Sequence, residues 1–233
     1  MTISKRALFL GLIVLCSAAL LLAGEAWKQK PFSEWSDKDI QGIFQDSPWA
    51  HLVAVPWVKQ LSTPNIATSD IAGPKPMTGG EESKGLPVRA QFLVQWASAL
   101  TMRQARARQL QMQGAANDEA VAQFLSQTPP HHVIVVVGAD LSSFEVLKEE
   151  GVQKVTYLEL KQSKQHLAPT SVQFFRQGSQ LTGVQFFFPR EVDGKPAIGP
   201  GENKLTFHCD AGDSKIAAEF DLRKMVRDGK PDL

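Results

Sequence analysis

The sequence predicts an α+β fold: a largely antiparallel sheet with helices on one face, following an N-terminal signal or anchor helix. Three observations predict it. Residues 88–96 place apolar residues at every second position and are followed by two stretches of helical composition. Residues 133–137 form a continuous apolar run followed by one more helical stretch. Beyond Gly151, strand signals separated by polar or glycine-containing turns take over. No internal repeat stands out.

The chain opens with Lys5 and Arg6 and then runs through residues 7–24 without a charge or a proline. Small residues follow at Ala23, Gly24 and Ala26. A basic end, an apolar middle and small residues at a cut after Gly24 or Ala26 are the layout of a secretory signal. The run is longer than the ~7–15 residues of most signal cores and close to the ~17–20 of a spanning helix. A retained anchor, with Lys5 and Arg6 on the inner side, is therefore the alternative. Lipidation at Cys16 is disfavoured, because Leu15 stands where a small residue is needed and half the apolar run lies beyond it. Either reading exports residues 27–233 to the periplasm or the exterior, and the membrane is met only through residues 7–24 if they stay.

Four segments are expected: a signal or anchor at 1–26, a Trp-rich entry segment at 27–59 packing on the main domain, a flexible loop at 60–87, and an α+β main domain at 88–233. In the entry segment Ser36 caps a helix and Asp39 reaches back to it, while Ile40, Ile43 and Phe44 form one apolar stripe. Pro48 stops that helix. Residues 50–58 are apolar and β-branched, and Pro56 demotes them to an edge or broken strand. Eight Gly and Pro residues between Pro64 and Pro87 break every period, so 60–87 read as a long surface loop.

In the main domain Val88, Ala90, Phe92, Val94 and Trp96 share one strand face, and Arg89, Gln91 and Gln95 the other. Ser98 is expected to cap a helix ending at Gly114, with Leu100, Ala107 and Leu110 as its core stripe. Asn117 starts a second helix to Leu125. Residues 133–137 are expected to be a strand buried on both faces. A helix over 141–150 stops at Gly151, and strands are expected over 154–161, 183–189, 204–209 and 215–222.

Composition narrows function by exclusion. The chain carries net charge +1, and removal of Lys5, Arg6 and Glu25 leaves the exported part neutral. Neutrality argues against nucleic acid or an anionic bilayer as principal partner. Of the two cysteines only Cys209 is exported, so neither an internal disulfide nor a thiolate metal cage is expected. No nucleotide loop, dinucleotide fingerprint, nucleophile elbow or zinc-protease helix is present in the sequence. No catalytic, cofactor or metal residues are assigned.

The remaining candidates each have a plain packing alternative. His208 and Cys209 are adjacent on one strand and point apart, so Cys209 reads as a core thiol rather than an activated nucleophile. The same geometry keeps His131 and His132 from sharing an ion, and His51 and His166 are isolated in sequence. Arg103, Arg106 and Arg108 form a local cationic cluster, with Arg103 and Arg106 on one helix face. Trp27 and Trp35 sit where an interfacial aromatic belt falls if the anchor is retained. Trp35, Trp49, Arg103 and Arg106 are the residues proposed for a partner surface.

Several motifs resemble those of an uncharacterised family of exported bacterial proteins. They are Trp35-Ser36-Asp37-Lys38-Asp39, Asp46-Ser47-Pro48-Trp49-Ala50, and Trp96-Ala97-Ser98-Ala99-Leu100 with Arg103. Phe188-Pro189-Arg190 and the closing segment from Phe220 through Met225 to Gly229-Lys230 complete the set, while Pro231-Asp232-Leu233 departs from that family's more apolar tail. The resemblance implies export and folding as one unit, and it implies no activity. The expectation is an exported, non-catalytic binding or assembly component of the cell envelope, its partner an unknown envelope protein or ligand. A small secreted or periplasmic hydrolase is the alternative.

Overall fold

Residues 25–56 and 89–233 are described by a computed structural model. The apolar run at 7–24, Trp57 and the 60–87 loop lie outside the described residues.

The entry segment folds much as its residues dictate. A short helix, α1 (Ala26–Gln29), precedes α2 (Asp37–Gln45). The Ser36 hydroxyl accepts from the Asp39 N–H at 3.3 Å, and the Asp39 carboxylate accepts from the Ser36 N–H at 2.8 Å. This reciprocal pairing satisfies donors that the helix cannot satisfy itself. Ile40 and Ile43 are buried and Phe44 half-buried on the predicted stripe. β1 (Ala50–Pro56) then forms one edge of a sheet, as Pro56 requires.

That sheet has five strands, wholly antiparallel, in the order β1, β2 (Arg89–Trp96), β3 (His131–Gly138), β7 (Gln180–Pro189) and β6 (Ser171–Gln177). A second antiparallel sheet has the order β11 (Ser214–Asp221), β10 (Lys204–Ala211), β4 (Thr156–Leu160) and β5 (His166–Leu167). Two small hairpins, β8 (Glu191–Val192) with β9 (Lys195–Pro196) and β12 (Val226–Arg227) with β13 (Lys230–Pro231), complete the β structure. The β6–β7 and β10–β11 turns place Gly178 (φ +62°) and Gly212 (φ +59°) first in two-residue loops, where a side chain would be strained.

The two sheets face each other. Phe92, Val94, Trp96, Ile134, Val136 and Phe186 come from the larger sheet, and Leu158, Leu205, Phe207 and Phe220 from the smaller, all with no exposed surface. Phe186 meets Phe207 edge-on at 5.1 Å, and Trp96 meets Phe220 at 5.4 Å. Each such aromatic contributes on the order of 1.5–3 kcal/mol by burial. On one side β1 packs against β11. On the other, α5 (Ser142–Lys154) lies against β6 and β10 and drives Phe144 into the core beside Phe92, ring to ring at 6.1 Å.

β2 and β3 are joined through α3 (Leu100–Met112) and α4 (Asp118–Ser126), the latter capped by the Asn117 side chain accepting from the Ala120 N–H at 2.9 Å. The architecture is α+β with antiparallel sheets, the class the sequence predicts. Particular elements depart from expectation. β6 lies between the strands expected at 154–161 and 183–189, where the sequence predicts no strand. α5 continues through Gly151 to Lys154, with a break in helical backbone at Lys148 (φ +58°). β3 is buried throughout its inner face, but on its outer face only Val133 is buried, leaving Val135 and Val137 partly exposed.

Ser98 does not cap α3. Its hydroxyl accepts from the Val133 N–H at 3.0 Å, tying the helix start to β3. Nor do Leu100 and Leu110 lead the core stripe of α3. Both are half-buried, while Thr101, Met102, Ala105 and Ala107 are buried, because the helix enters rotated by its anchorage at Ala99 and Thr101. Trp27 and Trp35 lie inside the protein rather than in a belt. Trp27 packs edge-on against Trp49 at 5.4 Å, and the Trp35 indole N–H donates to the Lys30 carbonyl at 3.2 Å.

Candidate binding groove on the outer sheet face

Strand pairing decides what the five-stranded sheet shows to its other side. Leu52 stands opposite Leu93, and Leu93 opposite Val137. Phe175 stands opposite Gly183, where an added side-chain carbon would sit 3.2 Å from Val137 Cγ1. These residues therefore form one apolar row across all five strands. One register step away lie Gln95, Val135, Gln185 and Gln173. Leu52 is 63% exposed and Phe175 46%, so the row is open to solvent at both ends.

Helices wall this face and turn it into a groove of about 600 Å³. α2 contributes Gln41, Phe44 and Gln45; α3 contributes Met102, Arg103, Arg106 and Gln109; α4 contributes Phe124. The wall is held to the sheet by the Gln95 amide, which donates to the Phe44 carbonyl at 2.7 Å. Its volume falls within the ~300–1,000 Å³ of ordinary ligand sites. Among the described residues the lining contains no carboxylate, histidine, hydroxyl or thiol, and its charges are Arg103 and Arg106.

The two arginines differ. Arg103 is buried; its guanidinium donates to the Phe124 carbonyl and lies 4.7 Å from the centre of the Phe124 ring. Burial lowers its pKa, and the nearby Asp232 charge partly opposes that. Arg103 thus holds α4 against α3. Arg106 is exposed, and its guanidinium donates to the Gln109 side chain at 2.6 Å. The third member of the cluster, Arg108, donates to the Trp35 carbonyl at 3.2 Å. Of the four residues proposed for a partner surface, Trp35 and Trp49 are fully enclosed and offer no surface, and Arg103 serves as an internal brace. Arg106 alone stands free at the groove. The tryptophans are enclosed because α1, α2 and β1 belong to the same core as the main strands.

The residues that make the groove floor were not singled out in the sequence. Leu93 is the apolar exception on the polar face of its strand, and Val135 and Val137 belong to a continuous apolar run that predicts burial on both faces.

A second cluster lies on the outer face of the smaller sheet. Tyr157 stacks between His166 at 4.4 Å and His208 at 4.8 Å, and His208 Nε2 lies 3.1 Å from the Glu159 carboxylate. His166, isolated in sequence, is thus packed against an aromatic ring. Lys161 donates to Glu159 at 2.7 Å, and these two bonds hold the Glu159 carboxyl below its usual range. Cys209 points the opposite way, into the core, and burial pushes its thiol up to about 12. His132 is also internal, ring to ring with Trp96 at 5.5 Å, while His131 faces Phe187 on the other side. Among the described residues, no group of three His, Cys, Asp or Glu side chains is placed to hold a metal ion. No described helix is long and apolar enough to cross a membrane.

Comparison with protein-family models, with curated proteins and with solved structures finds no match to this chain.

Proposed function

We propose that this is an exported binding or assembly component of the cell envelope, acting through the outer face of its five-stranded sheet. The observation that carries the reading is the groove itself. It has an apolar floor and amide-bearing walls, and among the described residues its lining lacks any side chain able to act as nucleophile or general acid–base at neutral pH. Such a lining suits retention of a partner, not turnover of a substrate. An antiparallel sheet commonly leaves one face to water, but that face is then polar. Here Leu52, Leu93, Val137 and Phe175 occupy it. The basic start and apolar run of residues 5–24 support export.

The test is photo-crosslinking in cells. A photoreactive residue at Leu52 or Phe175 should give a discrete adduct in the envelope fraction, and one at Lys215, on the far sheet, should not. Adducts equal at all three positions, none at any, or full-length protein soluble in the cytoplasm would overturn the reading.

A further inference from the structure

We propose that the cleft between the start of β3, the β8–β9 hairpin and residues 231–233 binds a small organic acid, its carboxylate on Arg190 and His132 and its short apolar body against Ile198 and Pro231. This site is separate from the outer-face groove and does not rest on the reading given for it.

The chain builds the cleft where β7 ends. Phe188 stands opposite His132 and Pro189 opposite His131. Arg190 follows at once and leads into the β8–β9 hairpin. The residues after β12 return to the same place, where the Leu233 carbonyl oxygen accepts from Arg190 Nη2 at 2.8 Å. The enclosed space measures about 300 Å³, the lower end of ordinary small-molecule sites. Pro196, Ile198 and Pro231 supply its apolar walls.

His132 is the group a ligand would satisfy. It lines the cleft yet is only 5% exposed, and its Nδ1 has no hydrogen-bond partner among the described residues. A buried polar atom left unpaired costs about 1–3 kcal/mol. A neutral imidazole can present an N–H at that nitrogen to an acceptor. After burial, the charge of Arg190 is the next cause of the lowered His132 pKa, so imidazole and guanidinium act on the same space.

Arg190 supplies the charge. Its Nε donates to the Pro129 carbonyl at 2.8 Å, and Nη2 to Leu233. A guanidinium has five N–H donors, so three remain. Burial lowers its pKa, neighbouring Arg103 adds to that, and Asp232 opposes it. Asp232, however, already accepts from the Leu100 and Thr101 N–H groups. Glu191, at the rim, is exposed and screened by water. The planar guanidinium fork matches a carboxylate, and the apolar walls call for a ligand body that inorganic anions lack.

The probe is isovalerate, with inorganic phosphate as the control anion, titrated into the full chain at pH 7 and followed by proton NMR. Isovalerate should shift the imidazole resonances of His132, assigned against His132→Gln, and leave those of His166 and His208 in place. Arg190→Gln should weaken binding at least about tenfold. Glu191→Gln, at an exposed position, should tighten it about twofold by removing a like charge. If Arg190→Gln fails to fold by circular dichroism, Glu191→Gln and Ile198→Asp carry the test, the second weakening binding about tenfold. No shift of His132, an equal shift with phosphate, or affinity unchanged in these variants would overturn the proposal.

Discussion

Asp232 caps Thr101 from 131 residues away, its carboxylate accepting from the Thr101 N–H at 3.0 Å and from the neighbouring Leu100 N–H at 2.5 Å. The α3 N-terminus has no side-chain cap of its own. Two of its unpaired donors are thus met by a buried carboxylate at the positive end of the helix dipole. The Asp232 carbonyl in turn accepts from the Trp49 indole N–H at 2.8 Å, and its N–H donates to Met225 at 2.9 Å. One residue therefore joins α3, the entry segment and the β12–β13 hairpin.

Asp232→Ala should cost about 1–2 kcal/mol, the range for loss of a helix cap. Asp232→Asn, which keeps one acceptor oxygen, should cost less. Urea denaturation midpoints at constant m-value give the comparison. Equal stability of all three proteins would refute the cap.

The β6 edge is protected by α5. Besides the Glu149 bond to the Phe174 N–H, the Gln153 amide donates to the Pro169 and Thr170 carbonyls, each at 3.0 Å. An unprotected edge is a template for pairing with another chain. Glu149→Ala with Gln153→Ala should lower stability by roughly 1–3 kcal/mol and increase concentration-dependent association in light scattering. A double variant that stays monodisperse would show that these side chains do not guard the edge.

His132 makes stability fall with acid. Burial, aided by Arg190 and His131, lowers its pKa to about 3. The unfolded chain takes up its proton near pH 6.5, while the folded protein does not until about pH 3. Unfolding therefore binds an additional proton between those limits, and stability declines as pH drops through them, by up to about 1.4 kcal/mol per pH unit. His51, whose pKa is also lowered by burial, adds in the same direction. Denaturation curves at pH 7 and pH 4.5 should converge when His132 is replaced by Leu, with the residual slope reporting His51 and other groups. An unchanged slope in that variant would count against the assignment.

Cys209 should be chemically quiet. Its thiol is 1% exposed and pushed up to about 12. A thiol reagent should label it slowly in native protein and fully in denaturant. Cys209→Ala should cost about 1 kcal/mol, and Cys209→Asp far more, because it buries a carboxylate without a cationic partner. Rapid labelling of folded protein would contradict its placement.

How legible these features were in the sequence follows from the range of the interactions that make them. The Ser36–Asp39 cap, the Pro56 edge strand and the inward alternation of Phe92, Val94 and Trp96 all rest on residues a few positions apart, and all appear as expected. The Ser98 prediction failed because a serine before a helix also has Val133 within reach, and the better cap came from Asp232. β6 was missed because Phe174 and Phe175 interrupt alternation at a register shift between Phe175 and Arg176. Arg103 carries no local sign that its guanidinium would turn inward to a carbonyl of α4. The groove depends on which strand lies beside which, and only pairing across five strands aligns Leu52 with Phe175.

The placement of Asp232 also sets an order of events in synthesis. Thr101 is made 131 residues before the carboxylate that receives its N–H. At ~5–20 residues per second, α3 waits roughly 7–26 s for its cap. During that interval Trp49 also lacks the carbonyl that receives its indole N–H. The nascent chain is thus left unlatched until the 225–232 stretch has emerged from the ribosome. The same delay would serve the export proposed above, because a core closed early would stall passage across a membrane.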